Sequence, residues 1–292
     1  MSAKKLCFAL AGGDRRQLAA AEALRREGHT VLLCCLERAG ELPGLPHLDL
    51  REALGRADCA LLPLPALDGN GALNAPLSDA APSAGELLDA LRPGSLLLGG
   101  RLPPSFLAMA AAREREALDY FAREELKIAN AALTAEGALH LALEETEGAL
   151  LGARCLVVGY GRIGRLLAGR LRALGADVTA SARSPADLAW VRAEGLRPVH
   201  TERLEEALPE QELVFNTVPA PVLGEERLRL LPPGCLVVDL ASRPGGVDRE
   251  AARRLGLRFL WALSLPGEIA PRSAGLAIKE TVCALLAERG ML

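Results

Sequence analysis

Residues Arg154–Gly164, RCLVVGYGRIG, constrain the fold of this chain more than any other stretch. An apolar run from Cys155 to Val158 meets Gly159, Gly161 and Gly164 in G-x-G-x-x-G spacing. An amphipathic segment, RLLAGRLRALGA, follows at once, and a second apolar run, VTASA, follows that. The order predicts strand, glycine turn, helix and strand, which is the opening of a dinucleotide-binding βαβ unit. Each glycine has its own task. Gly159 permits the tight turn, Gly161 lets the backbone approach a pyrophosphate, and Gly164 lets the helix pack closely on the strand. The helix start, at Arg162 and Ile163, then turns backbone N–H groups and the positive end of the helix dipole toward the phosphates. A Rossmann-like unit that binds nothing is the competing reading.

The end of the second strand of such a unit identifies the cofactor. About 20 residues beyond the glycines, an acidic side chain usually holds the ribose 2′-OH of NAD. Here Thr179–Pro185 reads TASARSP, with no carboxylate, and Ala182, Arg183 and Ser184 occupy the place. An arginine and a hydroxyl suit the 2′-phosphate of NADP, because a guanidinium pairs with phosphate in a planar fork and stacks on adenine. NADP is therefore the expected cofactor, with NAD the alternative. Arg183 as a solvated loop residue is the plainer reading.

With 292 residues the chain is long enough for two domains. Half of it is hydrophobic, but only 3% is aromatic, so the core must be built from Leu, Ala and Val. The net charge of −3 and the lack of a basic block argue against nucleic acid as a partner. No apolar run reaches the roughly 18 residues that span a bilayer, which argues against a membrane location. The N-terminal MSAKKLCFALAGGDRRQ reads as a first strand, not a signal peptide, because glycine and charge follow a minimal apolar run. The seven cysteines are scattered through apolar runs without C-x-x-C spacing. They read as reduced core residues of a cytoplasmic protein, neither disulfides nor metal ligands.

The first half also begins as strand, turn, helix, strand: KLCFALA, GGDRRQ, LAAAEALRREG and HTVLLCCL. CALLPLP and SLLLGG continue the series, separated by a helix from about Ser83 to Leu91. Residues 105–148 read as two helices with a short break, over Glu114–Leu126 and Ala135–Glu145. The later strands are expected at 154–158, 177–182, 213–217, 235–240 and 257–261. A last helix, Ser273–Glu288, is expected to pack back on the first lobe. The fold class is thus α/β: two Rossmann-like parallel-sheet domains flanking a cleft, residues 1–150 and 151–292, the second of them dinucleotide-binding.

Ligands in open α/β sheets bind beyond the carboxyl ends of the strands, so polar residues there are the candidate site. After the second-lobe strands come Asn216, Thr217, Val218 and Pro219, then Ala241 and Ser242, all read as cofactor contacts. Gly13, Arg16 and Gln17 follow the first strand; Arg243, Gly245 and Gly246 follow a later one. These are read as substrate contacts, and two arginines at strand ends suggest a dicarboxylate. Asp14 and Glu136 are the candidate bases, each with a structural role as its alternative. The His–carboxylate pair expected of a 2-hydroxyacid dehydrogenase is missing.

Taken in order, GGDRRQ at 12–17, TAEG at 134–137, VVGYGRIG at 157–164, GADVTASARS at 175–184, NTVP at 216–219, DLASRPGG at 239–246 and SLPGEIAP at 264–271 cover nearly the whole chain. In these pieces the chain resembles the A subunits of bacterial dipicolinate synthase. The resemblance implies a role in endospore formation, in the mother-cell cytoplasm. It implies a partner, a flavoprotein-like B subunit. It also implies oxidation of a dihydro- or hydroxytetrahydro-dipicolinate to pyridine-2,6-dicarboxylate. A homo-oligomer is a further possibility. Two rival functions remain open: an NADP-dependent 2-hydroxyacid or shikimate-type dehydrogenase, and a non-catalytic nucleotide-binding scaffold for a flavoprotein partner.

Overall fold

The computed structural model describes residues 4–292. Its elements run β1 (Cys7–Ala11), α1 (Arg15–Arg26), β2 (Thr30–Cys34), α2 (Leu50–Arg56), β3 (Cys59–Leu61), α3 (Ala84–Ala90), β4 (Leu96–Gly99), α4 (Pro104–Ala112), β5 (Glu116–Asp119) and α5 (Glu124–Glu145). There follow β6 (Arg154–Val158), α6 (Arg162–Ala173), β7 (Asp177–Ala182), α7 (Pro185–Ala193), β8 (Arg197–His200), β9 (Leu213–Asn216) and α8 (Glu225–Leu228). The last elements are β10 (Leu236–Asp239), α9 (Arg249–Arg254), β11 (Arg258–Trp261), α10 (Leu265–Ile269) and α11 (Pro271–Glu288). Contacts divide the chain into two units. The first runs to Ala129 and takes in Ala270–Leu292; the second is Asn130–Ile269. Residues 130–150 thus lie on the other side of the division from where a boundary at 150/151 puts them, while 270–292, with the last helix, group with the first unit.

The first unit is a five-stranded parallel sheet of order β2-β1-β3-β4-β5. Its central strands are apolar at every position because both faces are covered. Phe8 and Leu10 of β1 pack with Leu24 of α1 and Ile278 and Val282 of α11. Ala9 and Ala11, on the opposite face, pack with Leu54, Leu87 and Phe106 of α2, α3 and α4. Helices α1 and α11 touch through their backbones, since a Cβ on Gly275 would lie 2.3 Å from the Arg16 carbonyl oxygen. Ser83 and Glu86 close a reciprocal cap at the start of α3.

The second unit is a six-stranded parallel sheet of order β11-β10-β9-β6-β7-β8. Leu156 and Val158 face Leu228, Ala251 and Ala252 of α8 and α9. Cys155 and Val157 face Ala138, Leu167 and Val191 of α5, α6 and α7. The strand order turns back between β6 and β9, and the carboxyl ends of these two strands are the switch point at which such sheets bind ligands. Burial pushes the thiols of Cys155 and Cys235 up to about 12, which keeps them inert core residues.

Two expectations are corrected. The helix read over Glu114–Leu126 is instead β5, at the sheet edge, followed by a tight turn of 3-10 helix at Tyr120–Ala122. Hydrogen bonds to β4 outweigh the helical spacing of Leu118, Phe121 and Leu126. Helix α5 then runs unbroken from Glu124 to Glu145, where a break is expected before Ala135. The sequence reading also leaves out β8, an edge strand that carries Pro198. Proline is tolerated at an edge because no second neighbour needs its missing N–H.

Candidate functional site

At the end of β6 the three glycines occupy three different environments. Gly159 has φ +96°, and a Cβ there would stand 2.6 Å from Thr217 Oγ1 and 2.8 Å from Val218 Cγ2. A Cβ on Gly164 would fall 2.1 Å from the Gly159 carbonyl oxygen, so the first turn of α6 lies directly on the loop. Gly161 differs: its φ of −77° suits any residue, and a Cβ would meet no protein atom within 4 Å. The fold needs glycine at 159 and 164 but not at 161. Gly161 is the N-cap of α6, offers no side-chain cap, and no carboxylate sits in the first turn. The groups present therefore fit the pyrophosphate of a dinucleotide: a bare backbone approach and a helix start at Arg162 and Ile163.

The loop is held from two sides. The Gly159 N–H donates to Ser181 Oγ at 3.1 Å, and the Thr217 hydroxyl and N–H both donate to the Val158 carbonyl at 2.9 Å. Ser181 is fully buried in β7 and receives a further bond from Thr201. Sequence reasoning passes over Ser181; its signal is a hydroxyl near the end of the strand beside the glycine loop. Tyr160 is buried, with Arg165 stacked over its ring, and its hydroxyl donates to Glu194 at 2.6 Å.

Beyond β7, Ala182 is buried and Arg183 is exposed. The Glu202 N–H donates to His200 Nδ1, so His200 Nε2 carries the proton and donates to the Arg183 carbonyl at 3.0 Å. The backbone of Arg183 is thereby pinned to the end of β8 while its guanidinium reaches solvent. Ser184 is the N-cap of α7: its hydroxyl accepts from the Asp187 N–H at 3.0 Å and donates to the Asp187 carboxylate at 2.7 Å. Its hydroxyl proton is thus committed within the protein, which leaves Arg183 as the group that can meet a 2′-phosphate.

The ends of β9 and β10 are tied together by one carboxylate. Asp239 is 1% exposed and accepts from the N–H groups of Ala241, Gly246 and Val247 and from Asn216 Nδ2. Asn216 also donates to the Val218 carbonyl and accepts the Val218 N–H. Asn216, expected at the cofactor, is fully buried and spends its amide on these bonds. Thr217, Val218 and Pro219 are carried at the surface next to the glycine loop. Gly246 fits because a Cβ would stand 2.4 Å from Asn216 Nδ2, and Gly245 turns at φ +86° against Asp239 and Trp261. Ser242 and Arg243 stand exposed on this loop, the Arg243 guanidinium 5.7 Å from the Trp261 ring centre. Asp239 is the residue that sequence reasoning undervalues; an aspartate closing the apolar run CLVVD is its signal.

In the first unit GGDRRQ forms the turn into α1. Asp14 caps the helix through the Arg16 N–H and also takes the Arg16 guanidinium in a two-point pair, at 2.8 to 3.1 Å. Arg16 Nη2 donates further to the Leu64 carbonyl at 2.6 Å. Gln17 is buried and donates to the Leu61 carbonyl at 2.7 Å. Gly13, at φ +94°, leaves room for Gln17 and Pro63. Arg16 and Gln17, expected at the substrate, thus brace the segment after β3, with Asp14 paired to Arg16. Glu136, the other candidate base, is exposed on α5 and faces Arg170 at 3.6 Å, more than two turns into α6 from Gly161. Its geometry is that of a surface ion pair.

Residues 7–121 match the family model for the N-terminal domain of the dipicolinate synthase A subunit. Residues 113–254 match that of the NAD-binding domain of D-isomer-specific 2-hydroxyacid dehydrogenases. The dipicolinate synthase A subunit of Bacillus subtilis (strain 168) is 32% identical over 286 residues, 97% of this chain and 96% of that protein. The crystal structure of the Bacillus subtilis protein superposes with a TM-score of 0.85 at 32% identity, covering 98% of this chain and 97% of the other. That of the A subunit from Bacillus halodurans gives 0.85 at 27% identity, covering 96% and 97%. With a nicotinamide-dinucleotide domain of dehydrogenase type, the chain is an NAD(P)-dependent oxidoreductase, and it belongs to the family of dipicolinate synthase A subunits.

Proposed function

We propose that the chain oxidises dihydrodipicolinate, or its 4-hydroxytetrahydro precursor after loss of water, to pyridine-2,6-dicarboxylate during endospore formation. The observation that carries this reading is Gly161, a glycine that the fold does not require, placed at the open start of α6 in a chain of this family. The ring loses one hydride and one proton and becomes aromatic, which supplies the driving force; the hydroxylated precursor first loses water. When bound, the nicotinamide dinucleotide supplies the hydride acceptor. Gly159, Gly161 and Gly164 hold its pyrophosphate against the N–H groups of Arg162 and Ile163. Arg183 meets the 2′-phosphate, which makes NADP the preferred cofactor and NAD the poorer one. Thr217, Val218, Pro219, Ala241 and Ser242 border the same strand ends. Arg243, exposed and without a carboxylate partner among the described residues, takes a substrate carboxylate.

The relatives are named as subunits, and a flavoprotein-like B subunit is the proposed companion of this chain in the mother-cell cytoplasm. One observation favours a second reading, a nucleotide-binding scaffold for that companion: both candidate bases, Asp14 and Glu136, face protein cations. A substrate panel read by NADPH absorbance separates these functions. Turnover of dihydrodipicolinate, with no turnover of 2-hydroxy acids or shikimate, is the expected result. Turnover of a 2-hydroxy acid alone overturns the substrate class. Cofactor binding without any turnover, restored by adding the companion protein, establishes the scaffold.

A further inference from the structure

Arg101 follows β4 at the carboxyl end of the first sheet, in the left-handed region at φ +56°. Residues with a Cβ rarely adopt that conformation, and arginine gains nothing locally from it. Such a backbone persists only where its surroundings fix it, and it concentrates where ligands are held. The surroundings here do fix it. The Arg101 N–H donates to Asp119 Oδ1 at 2.9 Å, and Asp119 also accepts the Phe121 N–H at 2.8 Å. The preceding glycines are tucked under the loop after β3: a Cβ on Gly100 would stand 2.7 Å from Leu64 Cδ1 and 2.8 Å from the Tyr120 hydroxyl. The Gly100 N–H donates to the Pro63 carbonyl, and the Gly100 carbonyl accepts the Ala66 N–H. Arg101 is therefore the first residue after β4 that can present a side chain.

That side chain is exposed, its guanidinium 5.7 Å from the Phe121 ring centre, with no carboxylate partner among the described residues. Arg16, the neighbouring cation at this end of the sheet, is already paired with Asp14 and the Leu64 carbonyl. We infer that Arg101, not Arg16, holds a carboxylate of the substrate on the first unit. The inference rests on the dicarboxylate reading given under Proposed function. A planar guanidinium with free donors, stacked on an aromatic ring, suits two-point recognition of a carboxylate.

The test separates the strain from the charge. Asn tolerates the left-handed region, so Arg101→Asn is expected to keep a Tm within about 2 °C of the parent or above it. The same variant should bind pyridine-2,6-dicarboxylate at least about tenfold more weakly by calorimetry on the full chain. Arg101→Lys keeps the charge but loses the fork, and should also raise the KM for dihydrodipicolinate. NADP affinity should be unchanged in both. Equal dicarboxylate affinity in the parent and Arg101→Asn overturns the assignment of Arg101. A parent chain that binds no dicarboxylate overturns the substrate class itself, and Arg101 with it. A fall in Tm with unchanged affinity shows Arg101 to be structural.

Discussion

At the scale of the residue, the glycine loop separates what the fold demands from what a ligand demands. Gly164 must lack a Cβ because the Gly159 carbonyl lies 2.1 Å from where it would be. Gly164→Ala should therefore destabilise the second unit by about 1–3 kcal/mol, read by denaturant melts. Gly161→Val has open space around it and should leave the melting curve unchanged while abolishing dinucleotide binding by calorimetry. Normal binding by Gly161→Val would remove the loop from the cofactor site. On the proposed reading, Arg183 carries the cofactor choice. Losing one charge-assisted bond costs about 1.5–3 kcal/mol, or about tenfold to over a hundredfold in affinity, so Arg183→Ala should weaken NADP by that factor and NAD hardly at all. Equal losses for both cofactors would show that Arg183 does not meet the 2′-phosphate. The tight turn at Gly159 and the close helix packing at Gly164 were legible from spacing alone, since both follow from local backbone geometry. The task of Arg16 was not. Its carboxylate partner is two residues away, but its third acceptor, the Leu64 carbonyl, is brought close only by the fold.

At the scale of the element, single carboxylates lock strands together. Asp239 joins the ends of β9 and β10 by accepting from three backbone N–H groups and Asn216. Each buried donor left without a partner costs about 1–3 kcal/mol, so Asp239→Ala should lose more than about 3 kcal/mol in urea unfolding. A loss below that would mean the loop re-pairs its N–H groups. Asp58 does similar work between β1 and the turn before β4, accepting the Cys7 N–H at 2.8 Å and Arg92 at 2.6 Å. Burial alone would raise its carboxyl; the two donors outweigh that and hold it below the ordinary aspartate range. A group depressed on folding stabilises above its unfolded pKa and loses that contribution as pH falls. Asp58→Asn should therefore lower Tm at neutral pH, with the gap to the parent closing below about pH 4. A gap of constant size would point to packing instead. Central strands such as LLLGG and CLVVD were legible because burial on both faces makes them continuously apolar. The edge strands were not: β5 carries helical spacing and β8 carries a proline, and only pairing with β4 and β7 makes them strands.

At the scale of the whole molecule, two parallel sheets divide the labour. The second carries a dinucleotide cradle at its switch point, and the first carries arginines and glycines at its carboxyl rim. Both α/β patterns were readable in the order of apolar runs. The return of the last helix to the first lobe was expected from the chain's order; the contact of Gly275 of α11 with the α1 backbone is a close approach that no local pattern encodes. On the proposed function, this chain transfers hydride from a dihydropyridine dicarboxylate to a nicotinamide. The direct measurement incubates the purified chain with dihydrodipicolinate and NADP⁺ and quantifies both pyridine-2,6-dicarboxylate and NADPH. The account predicts equal amounts of the two, with neither formed above background by Gly161→Val. Product that forms equally well without NADP⁺, or without matching NADPH, would contradict it.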